Sequence, residues 1–223
     1  MFGKNWVSKL WFPALIIFLM VFLHIIYELF NTRLGLIGIY PRKVYGLTGI
    51  LTAPFLHSDW RHLFSNLLPV IGLSLILFLI YERISYWGYV LIHIITGLIV
   101  WLFARQVYHV GASGVVYGLV SFIFCNGIFR RDPKSIIFSL IVTFFYLGSG
   151  YFLGVLPNQR GISWESHLFG ALVGVFVSFV LKDIKEKTDE KPDPLEDGPK
   201  RYYLPRDVFE RKKWERDIHN EGR

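Results

Sequence analysis

Residues 84–129 read ISYWGYVLIHIITGLIVWLFARQVYHVGASGVVYGLVSFIFCNGIF, and Arg105 is the only charged side chain among them. About 20 apolar residues suffice to cross the hydrocarbon core of a bilayer. The stretch therefore reads as two membrane-crossing helices, 84–104 and 106–129, parted at the arginine. The same reading extends in both directions. Runs free of Asp, Glu, Lys and Arg cover 10–27, 62–81, 135–159 and 166–181, the last reaching back to Gly161 if Glu165 lies at the interface. Short charged turns separate them: Glu82-Arg83, Arg105, and Arg130 to Lys134. The expectation is an all-α, polytopic bundle of six transmembrane helices with both termini on one side.

The rest of the composition agrees. Of 223 residues, 53% are hydrophobic and only 18% charged, against about 25% in soluble domains. Residues 1–181 hold 12 Lys and Arg against 5 Asp and Glu, while 182–223 hold 12 against 12. This divides the chain into a membrane domain, 1–181, and a charged tail, 182–223. The tail begins with mixed charges and Pro192, Pro194 and Pro199, a composition that reads as disordered. Residues 204–218 offer a short helix with Leu204, Val208, Trp214 and Ile218 near one face. The basic balance is spread over short loops, which argues against nucleic acid as a partner and for a lipid bilayer. With the N-terminus inside, inner segments and the start of the tail carry ten Lys and Arg against six outside, so both termini are expected in the cytoplasm. Helix one ends in Tyr27-Glu28-Leu29-Phe30 without a small-residue cleavage site and reads as retained. The short chain without a transit peptide points to a prokaryotic plasma membrane. Residues 44–58, VYGLTGILTAPFLHS, are charge-free but too short to span, and read as a loop dipping into the interface. One cysteine, Cys125, excludes an intrachain disulfide.

Ionisable and polar groups inside spans are costly and ask for a reason. Helices two, four and six start on the same face, and each carries such groups there: His57, His62 and Asn66; Gly111-Ala112-Ser113-Gly114; and His167. A serine between glycines at a helix start presents its hydroxyl and its own N–H together, and the helix N-terminus favours developing negative charge. The competing reading is helix packing, since Gly114 and Gly118 form a GxxxG pair. A serine nucleophile needs a base, and His167, Gly170 and Gly174 share one face of helix six. Glycines on both helices permit the backbone contact that would bring His167 to Ser113. Asp59 and Glu165 have no comparable position, so a Ser–His dyad without an acid is expected. Tyr117, one turn after Ser113, either packs on the imidazole to orient it or is ordinary aromatic packing.

His62 and Asn66 lie four apart on one helical face and can donate hydrogen bonds. With the Ser113 N–H they would make an oxyanion hole, where one donor is worth about 10²–10³ in rate. A metal site built from His57, His62 and His167 is the alternative, but it has no acid or fourth ligand and lacks a usual spacing. His24 and His93 have no partner that sequence identifies, and His109 reads as interfacial.

Together these residues resemble the rhomboid family of intramembrane serine proteases. Residues 52–66, TAPFLHSDWRHLFSN, look like its second-helix signature. Gly111-Ala112-Ser113-Gly114 with Tyr117 is similar to its nucleophile motif, and residues 166–174, SHLFGALVG, resemble its sixth-helix motif. The resemblance covers roughly residues 10–181, with three motifs in order. It implies a six-helix fold with a water-filled cavity open to the outer face, Ser113 as nucleophile and His167 as general base. It also implies an oxyanion hole from His62, Asn66 and the Ser113 amide, support of His167 by Tyr117, and a cavity-shaping part for His57. The implied partner is a single-pass or multi-pass transmembrane protein cut near the outer face, with no cofactor and no metal. Many members carry a Trp-Arg pair in the loop after helix one. Here that loop holds Arg33, Arg42 and Lys43, and Trp60-Arg61 falls later; nor is there a seventh helix, so the chain looks like the minimal six-helix form. The alternative within the resemblance is an inactive relative that binds transmembrane helices for trafficking or degradation.

Overall fold

The computed structural model describes residues 9–30, 34–148, 150–157 and 163–186. The expectations for the tail beyond residue 186 and for its short helix at 204–218 lie outside the described residues. Among the described residues the regular elements are all helices, joined by turns and irregular loops, with an isolated bridge between Ile39 and His109. Six long helices follow in order: α1 (Trp11–Phe30), α2 (Trp60–Ile80), α3 (Ser85–Phe103), α4 (Ser113–Arg130), α5 (Pro133–Gly148) and α6 (Trp164–Leu181). All but α5 are long and apolar enough to cross a membrane.

α5 differs from the expected span 135–159. It stops after 16 residues at Gly148, about 24 Å at 1.5 Å per residue. Gly150 then takes a left-handed turn, φ +72°, and Tyr151–Val155 continues as a single 3-10 segment. Hydropathy does not register this break, because the residues on both sides of it are apolar. The physical reason is Gly150, whose positive φ no helix accommodates.

α4 is the centre of the bundle. Eleven of its residues are buried, from Gly114 to Gly127, and its most extensive contact is with α6. That contact is backbone on backbone. A Cβ on residue 170 would stand 2.0 Å from Gly114 O, and one on residue 174 would stand 2.1 Å from Gly118 O. Side chains would hold these helices several ångströms further apart.

The segment between α1 and α2 folds as short helical turns, Leu34–Ile37, Val44–Leu47, Gly49–Thr52 and Ala53–Phe55. It is fastened to α3. The Arg42 guanidinium donates to Leu102 O (3.1 Å) and Ala104 O (2.7 Å) at the end of that helix. Arg42 N donates to Trp101 O (3.0 Å), and the Trp101 indole donates to Lys43 O (2.9 Å). A tryptophan and an arginine thus do anchor this loop, but from two different elements. His93 joins them, its Nε2–H donating to Ile50 O at 3.0 Å. His24 packs edge-on against Trp60, with ring centroids 4.5 Å apart.

Candidate active site

The starts of α2, α4 and α6, with the loops that lead into them, converge on one side of the bundle. α2 begins at a capped turn: the Asp59 carboxylate accepts from His62 N (2.8 Å) and from the Ser58 hydroxyl (2.7 Å). Those bonds hold the Asp59 carboxyl below the usual carboxylate range, the His62 N–H contributing most. His57 is buried beside this turn, its ring 5.0 Å from that of His62. Burial, then the neighbouring His62, pushes its imidazole down to about 3, so it stays neutral. His62 Nδ1 lies 3.2 Å from Ser58 Oγ. Its Nε2 faces Gly111, where a Cβ would stand 2.6 Å from it and where φ is +106°. Both the conformation and the approach of the imidazole exclude a side chain there. Asn66, one turn on, is buried and donates from Nδ2 to His62 O at 2.8 Å.

The turn that opens α4 is held from the side of the loop, since Gly111 N donates to Ala53 O (2.8 Å). Ser113 is the first residue of α4 and half-buried. Its hydroxyl makes no hydrogen bond among the described residues. Across the glycine contact, His167 lies in the first turn of α6, 8% exposed. Tyr117 is stacked on it, with ring centroids 4.3 Å apart and planes 12° from parallel. His167 Nδ1 lies 2.8 Å from Gly154 O. A carbonyl only accepts, so Nδ1 carries the proton of the neutral ring and Nε2 keeps its lone pair. That is the tautomer a base toward a serine hydroxyl requires.

Gly154 and Tyr151 are site residues that reading the sequence as an unbroken helix 135–159 conceals. The Tyr117 hydroxyl donates to Tyr151 O. A Cβ on Gly154 would run into the Tyr117 hydroxyl and stand 3.0 Å from His167 Nδ1. Tyr151 also reaches α2, its hydroxyl donating to Ser65 O at 3.0 Å. That carbonyl is free because Pro69, four residues on, has no N–H to offer it. The 3-10 segment therefore touches α2, α4 and α6 at once. The glycines at 148, 150 and 154 were the available signal.

Other polar groups take structural partners. Glu165 turns away from His167 to Arg105, Oε1 to Nε 3.0 Å. His109 is buried and pairs with Ser163. A cavity behind the Gly111–Gly114 turn is lined by His93, Thr96, His109 and Ser166. Among the described residues no group of three His, Cys, Asp or Glu is placed to hold a metal ion.

Comparison with known proteins points the same way. The family model described as Rhomboid domain matches residues 44–184, which takes in each of the groups above. An uncharacterized protein of Mycobacterium bovis is 34% identical over 178 residues, covering 76% of this chain and 73% of its own. One from Mycobacterium tuberculosis matches to the same extent. An uncharacterized protein of Mycobacterium leprae is 32% identical over 172 residues, covering 73% of this chain and 67% of its own.

Proposed function

The chain belongs to the rhomboid family of integral membrane proteins, and from that premise we propose that it is an active intramembrane serine endopeptidase. The observation that carries the reading is the tautomer of His167. With Nδ1–H committed to Gly154 O, Nε2 is the atom left to take a proton. Ser113 stands at the start of the helix that α6 touches backbone to backbone. A serine–histidine bond left unmade in a free enzyme is ordinary, since such bonds tighten with substrate.

In the proposed reaction Ser113 Oγ attacks the scissile carbonyl and its proton passes to His167 Nε2. The tetrahedral oxyanion accepts from the Ser113 N–H, from His62 through Nε2 and from the second N–H of Asn66. The N-terminus of α4 adds its partial positive charge. Collapse expels the new amine, which takes the proton from His167, and leaves an acyl-serine. Water, deprotonated by the same imidazole, then releases the new carboxylate. Tyr117 keeps the ring in plane, and His57 fills the wall behind His62. The Gly154 carbonyl takes the orienting part that a carboxylate has in a triad. The substrate is a transmembrane helix unwound near the outer face, and both termini of the enzyme are cytoplasmic.

The experiment is fluorophosphonate labelling of the purified protein, together with cleavage of a transmembrane-helix substrate in liposomes. Wild type should label and cleave, while Ser113→Ala and His167→Ala should do neither. Cleavage retained in Ser113→Ala would sink the serine mechanism. A folded wild type that captures transmembrane helices but neither labels nor cleaves would make it an inactive, helix-binding relative.

A further inference from the structure

A second set of polar side chains, outside the groups just assigned, joins the loop before α4 to the first turn of α6. His109 is 2% exposed. Its Nε2 lies 3.0 Å from Arg105 O, and since a carbonyl only accepts, that nitrogen carries the proton. Nδ1 is then an acceptor, 2.5 Å from Ser163 Oγ. Ser163 donates to it and accepts in turn from the Ser166 hydroxyl, 2.6 Å away. The chain of donors runs one way, Ser166 to Ser163 to His109 to the Arg105 carbonyl. Beside it the Arg105 guanidinium meets Glu165 at 3.0 Å, the carboxylate 5% exposed.

The two ends of this chain sit where the site needs them. Ser163 immediately precedes α6, and Ser166 is the residue before His167. His109 pairs through its backbone with Ile39 in both directions, 2.9 and 3.0 Å, and stands four residues ahead of Ser113. The glycine contact between α4 and α6 fixes how near the helices lie. It does not fix how far one slides along the other, because a glycine-lined groove has no side chains to interlock. A tie from the loop ahead of one helix to the start of the other supplies that missing register. Burial holds the His109 imidazole below its ordinary range, which keeps it the neutral acceptor Ser163 requires.

We propose that His109 is a positioning residue, which ties the start of α6 to the loop presenting Ser113 and so sets the approach of His167 to Ser113. It touches no substrate, and the proposal rests on the serine–histidine reading above. His109→Leu removes the acceptor. His109→Asn restores one, since its amide oxygen falls near the place of Nδ1. Ser163→Ala removes the donor from the other side.

The test measures fluorophosphonate labelling rate, kcat and KM for a transmembrane substrate, and thermal unfolding of the full chain. His109→Leu and Ser163→Ala should each slow labelling and kcat by about tenfold or more with KM unchanged, as a small misplacement of reacting groups does. The double variant should be no slower than the slower single one, and His109→Asn should recover most of the rate. Losses that multiply in the double variant would overturn the tie, as would an asparagine variant no better than leucine. If His109→Leu fails to fold, Ser163→Ala decides alone, and a wild-type labelling rate in it overturns the proposal. A labelled wild type with an indifferent His109→Leu sinks the tie and leaves the dyad standing. A wild type that neither labels nor cleaves overturns the serine reading, and this inference with it.

Discussion

Tyr151 and Gly154 present their carbonyl oxygens to the two rings of one stacked pair: the Tyr117 hydroxyl ends on the first and His167 Nδ1 on the second. One turn of 3-10 helix thereby sets the position of the phenol and the tautomer of the imidazole together. In the proposed dyad, which has no carboxylate, the group that would orient the base belongs to the main chain. No substitution can delete that carbonyl, but a side chain at residue 154 can push it away.

Gly154→Ala is therefore expected to lower the fluorophosphonate labelling rate by about 10²-fold, the scale of a 1 Å misplacement of a catalytic group. The new methyl meets the Tyr117 hydroxyl and His167 Nδ1, so the loss should fall on kcat. A labelling rate within twofold of wild type would detach this segment from the chemistry.

The α4–α6 contact predicts opposite outcomes for two helical glycines. Gly170→Val forces a methyl into Gly114 O, and thermal unfolding in detergent should show a loss of about 3 kcal/mol or more, the upper range for overpacked sites. Gly72, in α2, has nothing within 4 Å of where a Cβ would stand. Gly72→Ala should stabilise by about 0.5–1 kcal/mol, the ordinary gain in a helix interior.

Removing the loop's tie to α3 should be felt at a distance. Arg42→Ala deletes two charge-assisted bonds to the end of α3, worth about 1.5–3 kcal/mol each when well formed and less where water competes. Residues 44–58 should become the first site of limited proteolysis. Labelling should fall as well, since Ala53 O in that stretch holds Gly111 N. Arg42→Lys should not restore it, because a point charge cannot span both carbonyls. An unchanged cleavage pattern would show that the loop is held elsewhere.

Acid should act through the start of α2 in two separable windows. The His57 imidazole is held down to about 3 from an ordinary 6.5. Between those values the unfolded chain binds the proton and the folded one does not, so stability falls as pH falls through that range. His57→Gln should flatten that slope. The Asp59 carboxylate is held below its ordinary 3.8, so its contribution is present above that value and is lost as pH drops further. Asp59→Asn should remove only this lower-pH loss. Unfolding midpoints measured from pH 7 down to about 2 would test both, and slopes unchanged in the variants would refute the assignment.

What could be read from residue order was what is local or periodic. Charge-free runs marked the helices, and Gly170 with Gly174 marked the face that α6 turns to α4. Ser113, Tyr117 and His167 stood out because polar groups inside apolar runs are conspicuous. The end of α5 was hidden because a 3-10 turn of Tyr, Phe, Leu, Gly and Val is as apolar as the helix before it. Arg42 with Trp101 and His109 with Ser163 are links between positions more than fifty residues apart. Only the folded chain brings such pairs together. Each of these side chains alone looks like a common loop or interface residue.

The direct contact of two main chains at Gly114–Gly170 and Gly118–Gly174 has a consequence for how the protein meets different bilayers. Helices answer a change in hydrocarbon thickness by tilting, and pairs joined through rotatable side chains tilt separately. Two backbones touching at van der Waals distance, held against sliding by the His109–Ser163 tie, tilt as one rigid ruler, so the spacing between Ser113 and His167 is expected to be independent of lipid length. α2 is joined to that ruler only through side chains, the apolar packing of Leu63, Val70 and Leu73 on α4 and the approach of His62 to Gly111. Varying acyl-chain length should therefore leave probe labelling of Ser113 constant, while the turnover of substrate, which in the proposed mechanism draws on His62 and Asn66, rises and falls with membrane thickness.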